Sequence, residues 1–115
     1  MSLAQQKCEP CAGGAKPLAP EQAHRLIDKV PGWEIAGEQI EITFKFANFA
    51  DAMKFADKIA KIADEENHHP DLHISWGKVK VDLTTHAIGG LSANDFIMAA
   101  KINELHEQSS EAQSI

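Results

Sequence analysis

Between residues 71 and 84 apolar and polar positions alternate: Leu72, Ile74 and Trp76 with His73 and Ser75, then Val79, Val81 and Leu83 with Lys80, Asp82 and Thr84. A period of two marks half-buried strands, so this stretch predicts a pair of them. Gly77-Lys78 supplies the turn, because glycine accepts the positive φ at the first central position of a two-residue hairpin loop. In that register Ile74 faces Val81, Leu72 faces Leu83, Trp76 faces Val79 and His73 faces Asp82, so like meets like and opposite charge meets opposite charge. Slipping the pairing by one residue would turn the apolar set to the wrong face. Carried to the open end, the register sets His69 opposite His86, with facing Cβ atoms about 5 Å apart if pairing persists past Pro70. By its parity Trp76 belongs to the hairpin core.

The rest of the chain divides in the same way. Pro20 opens a helix to Val30 with Ala23, Leu26, Ile27 and Val30 on one stripe, stopped by Pro31-Gly32. Trp33 and Ile35, then Ile40, Ile42, Phe44 and Phe46, predict a first hairpin turning between Ala36 and Gln39. Asn48 caps a second helix, with Asp51 three residues on and Phe49, Ala52, Phe55, Ala56, Ile59 and Ala63 as its apolar face. Pro70 forbids its continuation, so it ends near Asn67, a good left-handed terminator, and His68 and His69 fall on the helix-to-strand junction. The last helix follows Gly89-Gly90, with Ser92 as cap, Asp95 reaching back as in a capping box, and Phe96, Ala99, Ala100 and Leu105 buried. The order α-β-β-α-β-β-α predicts an α+β fold: a four-stranded antiparallel sheet with three helices packed on one face, and His73, Lys80, Asp82 and Thr84 on the other.

At 115 residues and 43% hydrophobic, the chain suits one domain with a modest core. Residues 1–17 are expected to form a flexible N-terminal arm, 18–106 the domain and 107–115 a polar C-terminal tail. No run approaches transmembrane length and no apolar signal core opens the sequence, which predicts a cytoplasmic protein with no membrane partner. A net charge of -6 argues against a nucleic-acid groove. Cys8-Glu9-Pro10-Cys11 forms a C-x-x-C pair, but a redox dithiol wants a βαβ context and a zinc site a second ligand pair. Inert thiols are the expectation.

The chemistry concentrates elsewhere. Four of the six histidines, His68, His69, His73 and His86, fall with several carboxylates between Asp64 and Asp95. Imidazoles titrate near neutral pH, so such a stretch suits acid–base catalysis. Taken singly, each histidine is more often a surface or capping group, Asp95 a helix cap, Asp64 a solvated charge, and His73 a partner of Asp82. A metal centre built on His68, His69, His73 and the cysteines ranks last, because Pro70 and strand parity make His68 and His73 diverge.

The joint spacing is what changes the reading. Asp64, three residues, His68-His69-Pro70, five residues, Trp76, nine residues, His86, eight residues, Asp95: this pattern resembles that of the pterin-4a-carbinolamine dehydratases. The resemblance runs from about Leu18 to about Leu105 and includes the Gly-Leu-Ser-x-x-Asp-Phe opening of the last helix. It implies a dehydratase, a hydro-lyase converting 4a-hydroxytetrahydropterin to quinonoid dihydropterin and water and so recycling the cofactor of aromatic amino-acid hydroxylases. It implies His68, His69 and His86 as catalytic residues: His68 and His86 as general acids, one for each stereoisomer of the 4a-hydroxyl, and His69 chiefly holding the substrate. The pterin would lie along the main chain of His68 to Pro70 and of Thr85 to Ile88, which brings Pro70, Thr85, Ala87 and Ile88 into the binding set, with Asp64 and Asp95 in support. Asn67 stands where many members carry an acidic residue, which leaves Asp64, one turn before His68, as the charge partner expected to raise its pKa.

The three histidines are expected to line one solvent-open pocket of pterin size. No cofactor or metal is implied. Partners are the pterin, further copies of the chain in a dimer or tetramer, and functional coupling to a hydroxylase. The alternative is a non-catalytic pterin-binding or transcription-coactivator-type dimerisation module that uses the outer helices.

Overall fold

The computed structural model describes residues 2–9 and 16–113. Helix α1 spans Pro20–Ile27, strands β1 and β2 Glu34–Ala36 and Gln39–Lys45, helix α2 Phe49–Glu66, strands β3 and β4 Asp71–Ser75 and Lys78–Leu83, and helix α3 Ala93–Gln113. The strands make one four-stranded sheet in the order β1-β2-β4-β3, every pair antiparallel. This is the α+β arrangement expected from the periodicities. Alternation aligns Ile40 with Leu83, Ile42 with Val81 and Phe44 with Val79. Ile40, Phe44, Val79, Val81 and Leu83 are buried in one cluster with Ala52, Phe55, Ile59 and Ala63 of α2 and Phe96, Met98, Ala99 and Ile102 of α3. Each large side chain so buried contributes about 1.5–3 kcal/mol. Trp33 joins the core without stranding its indole N–H, which donates to Asn103 Oδ1 at 2.9 Å.

Local signals set the helix ends. Asn48 Oδ1 accepts the Asp51 amide at 2.8 Å, and α2 terminates where Asn67 takes a left-handed conformation (φ 52, ψ 41). Helix α1 stops at Ile27, earlier than expected, and the chain reaches Val30 through a further turn closed by Val30 N–H to the Ile27 carbonyl.

The second hairpin corrects the sequence register. Its turn is Trp76-Gly77, not Gly77-Lys78: Leu72 faces Val81, Ile74 faces Val79, His73 faces Lys80 and Ser75 faces Lys78. Glycine occupies the second central position with φ +72, where an added Cβ would lie 3.0 Å from the Phe46 carbonyl, and the Gly77 carbonyl accepts the Phe46 amide at 2.8 Å. The turn is thus tied to the end of β2. Relative to the expected register every partner moves by two residues, so each side chain keeps its face and the apolar pattern alone could not choose. Two consequences follow. Trp76 becomes a turn residue, 71% exposed, instead of hairpin core. His69 does not pair with His86, because β4 ends at Leu83 and His86–Ile88 form a short 3₁₀ turn. His73 still reaches Asp82 across the outer face, Nε2 to Oδ2 2.8 Å, now as a diagonal neighbour.

The described residues near both ends of the chain carry regular contacts or structure. Residues 2–9 form a strap over the end of α2 and the start of α3. Cys8 N–H donates to Glu66 Oε1 (2.8 Å), Glu9 N–H donates to Asn94 Oδ1 (2.9 Å), Asn94 Nδ2 donates to the Glu9 carbonyl (2.6 Å), and Lys101 Nζ donates to the Ala4 carbonyl (2.8 Å). Burial, and secondarily the Glu66 carboxylate, push the Cys8 thiol up from 9.0 to about 12, so it stays protonated and unreactive near neutral pH. Cys11 lies outside the described residues. At the other end α3 runs on to Gln113, past the boundary expected at 106.

Candidate active site

The site is assembled by the left-handed residue that ends α2. Asn67 turns the chain so that the next amide, His68 N–H, donates back to the Ala63 carbonyl at 3.2 Å, and β3 begins four residues on at Asp71. The same reversal carries His68 inward. Its side chain is 11% exposed, and Nε2 lies 2.7 Å from Oδ1 of Asp95, which is fully buried.

Asp95 sits in the first turn of α3 and joins three segments. Its Oδ2 accepts the Ser92 amide at 2.9 Å, the return bond of a capping box, and the Thr85 hydroxyl at 2.8 Å. The Thr85 and Ser92 hydroxyls are 2.8 Å apart, and Ser92 Oγ accepts the Asn94 amide at 3.2 Å. Thr85 is itself held by paired backbone bonds with Gly90, N–H to carbonyl 3.0 Å and the reverse 3.4 Å. Between them the chain loops out as the 3₁₀ turn, closed by Gly89 at φ 68. His86 and Ala87 stand exposed on this loop and Ile88 is half-buried.

The histidine partners differ from the expected ones. Asp64, in the last turn of α2, points to solvent and pairs with His69, Nε2 to Oδ1 3.0 Å, at side-chain exposures of 57% for His69 and 79% for Asp64. His68 takes Asp95 instead, so Asp95 is both helix cap and histidine partner. His73 is on the outer sheet face and outside the site. Ser92 was legible only as a cap and Thr85 only through its main chain; the signal for more was the capping-box Asp95 lying at the end of the histidine pattern. A cavity of about 210 Å³ beside the Gly89-Gly90 segment is lined by Pro17, Leu18, Ala23, His24, Ile35 and Leu91 among others, and by none of the three histidines.

An imidazole edge held by a buried carboxylate can pass a proton while keeping its orientation. A second imidazole, that of His86, stands exposed on the 3₁₀ loop that follows Thr85. Residues 16–105 match the model of the family described as Pterin 4 alpha carbinolamine dehydratase. The chain belongs to that family. Relatives carrying the provisional name pterin-4-alpha-carbinolamine dehydratase include a Methylococcus capsulatus protein, 47% identical over 106 residues (90% of this chain, 93% of the relative). Another is from Rubrobacter xylanophilus, 41% identical over 104 residues (90% and 97%). Among solved structures, the crystal structure of a transcriptional coactivator/pterin dehydratase from Brucella melitensis superposes with a TM-score of 0.75 at 29% identity, covering 78% of this chain and 98% of that one. A pterin dehydratase-like RuBisCO assembly factor of the alpha-carboxysome, at 19% identity and a TM-score of 0.53 over 64% of this chain and 84% of its own, shares the fold alone. Within the pterin dehydratase family's span lie His68, Thr85, His86 and Asp95; the strap of residues 2–9 lies outside it. No helix among the described residues is long and apolar enough to cross a membrane.

Proposed function

We propose that this member of the family is an active 4a-hydroxytetrahydropterin dehydratase working by histidine acid–base catalysis. The observation that carries the reading is the buried His68–Asp95 pair, which shares its carboxylate with Thr85 and therefore adjoins the loop bearing His86. In the reaction the bond from the 4a-carbon to oxygen breaks with its electron pair on oxygen. An imidazolium delivers a proton to that oxygen and water departs. The neighbouring ring nitrogen gives its proton to a base, and the electron pair left behind forms the new C=N bond. No electrons enter or leave, so two imidazoles suffice, and positioned acid–base groups of this kind are worth about 10²–10⁴ in rate.

His68 and His86 are the general acids in this reading, each suited to one face of the pterin. His69, tethered to Asp64 at the surface, holds the substrate together with main-chain groups of His68 to Pro70 and Thr85 to Ile88, whose amides and carbonyls complement the donor and acceptor edge of a pterin. The product would be the quinonoid dihydropterin of a hydroxylase cofactor cycle in the cytoplasm. Strands β1 and β3 are both sheet edges, which favours association with further copies of the chain.

The test is stopped-flow decay of chemically generated 4a-hydroxytetrahydropterin with and without protein; a decay no faster than the spontaneous one sinks the proposal. A binding role of coactivator type has one observation in its favour. Phe49, Met53, Ile74 and Trp76 are exposed large apolar side chains, none of them among the proposed substrate-binding residues.

A further inference from the structure

Asp95 fixes more than the position of His68. Three donors converge on its buried oxygens: the Ser92 amide, the Thr85 hydroxyl and His68 Nε2. An anionic carboxylate is acceptor-only, so the hydrogen in each of these bonds belongs to the other partner. Nε2 of His68 therefore carries a hydrogen whether the ring is neutral or charged. Thr85 has a single hydroxyl hydrogen, and it points to Asp95 Oδ2. In the 2.8 Å contact between the two hydroxyls, Ser92 is then the donor and Thr85 the acceptor. Ser92 Oγ accepts the Asn94 amide in turn, so the whole chain of hydrogen bonds has one direction.

We infer that His68 transfers protons through Nδ1, and that Thr85 is a positioning residue whose hydroxyl, oriented by Ser92, holds Asp95 so that Nε2 stays the protonated nitrogen. The ring offers only two nitrogens, and Nε2 is enclosed against a carboxylate with no exposure. Among the described residues the buried polar side-chain atom lacking a hydrogen-bond partner is Asp82 Oδ1, so Nδ1 is not sealed in the interior without one. Thr85 thus has two separable parts in the site. Its main chain belongs to the binding loop, and its hydroxyl acts on His68 from behind through Asp95.

The inference rests on the dehydratase reading for the words "transfers protons", and its test separates the two. In ¹⁵N-labelled wild-type protein, long-range ¹H–¹⁵N spectra of the neutral His68 ring are expected to show the Nε2–H tautomer; an Nδ1–H tautomer overturns the inference whatever the activity. In Thr85→Val, which keeps the side-chain shape, kcat should fall about tenfold with KM changed less than about twofold, because the substrate contacts are untouched. Thr85→Ser should restore kcat and the wild-type spectrum. Wild-type kcat in Thr85→Val, or failure of Thr85→Ser to rescue a folded protein, overturns the positioning role. A wild type that shows the Nε2–H tautomer but no acceleration of the dehydration leaves the hydrogen-bond direction standing and overturns the catalytic reading.

Discussion

His68 and His69 are adjacent in the chain, and each has its Nε2 on an aspartate, yet the two pairs are opposites in environment. The His68–Asp95 bond is 2.7 Å long and buried, with the carboxylate anchored by two further donors. The His69–Asp64 bond is 3.0 Å long and open to water on both sides. Water and salt screen the outer pair, whose energy is small and whose geometry is loose. The inner pair is little screened, and breaking it strands a buried charge. The difference arises where the left-handed Asn67 ends α2 and the chain passes toward β3, along which successive side chains point to opposite faces. Two histidine–aspartate pairs of opposite environment thus meet at a helix terminator.

The sharpest way to break this comparison is to remove the proposed acids. His68→Ala combined with His86→Ala should lower kcat by about 100-fold or more while the far-ultraviolet dichroism stays native; full activity in the folded double variant would reject the assignment. Next in size, Asp95→Ala should cost about 3 kcal/mol or more in urea unfolding, since it leaves the His68 ring, the Thr85 hydroxyl and the Ser92 amide without their acceptor. A loss under about 1 kcal/mol would mean that the inner pair is as loosely coupled as the outer one. His69→Ala should raise KM several-fold and lower kcat less, as befits a residue that holds the ligand, with Asp64→Ala following in the same direction by about two- to threefold. Collapsed kcat at unchanged KM in His69→Ala would exchange the roles of the two histidines.

The smallest effect concerns Cys8. In a Cys11→Ser background its reaction with a disulfide reagent at pH 8 should be slow until denaturant is added, because the folded thiol titrates near 12 and the unfolded one near 9.0. With the folded value raised, its contribution to stability is complete below about pH 9 and is lost as pH rises toward 12, so unfolding midpoints should fall over that window more steeply than in Cys8→Ser.

Much of this architecture was legible in the sequence wherever cause and effect are close along the chain. The Asn48 and Ser92 caps, the Asn67 terminator and the alternation that builds the sheet all act over a few residues. What escaped depended on longer reach. The β3–β4 register lies two residues from the expected one, a shift that preserves every face, and it goes with a long-range tie, the Phe46 amide on the Gly77 carbonyl. Asp64 was favoured over Asp95 as the partner of His68 because helical spacing makes i and i+4 neighbours, a rule that lapses once the chain leaves the helix at Asn67. The strap had no signature at all, since its bonds join backbone near Cys8 to side chains 58 and 85 positions away.

That strap bears on the order in which the molecule comes into being. Ala4 is synthesised 97 residues ahead of the lysine that bonds it, and Glu9 85 residues ahead of Asn94. During translation α2 and the first hairpin have their local contacts to hand, but residues 2–9 must wait for α3, and so must His68, whose aspartate arrives next to Asn94. Closing so long a loop adds entropy cost only logarithmically with its length, yet contacts between distant parts of a chain slow the search. Docking of the strap and capture of His68 by Asp95 should therefore be late, coupled events, and a nascent chain halted before residue 94 would hold most of the sheet and no working site.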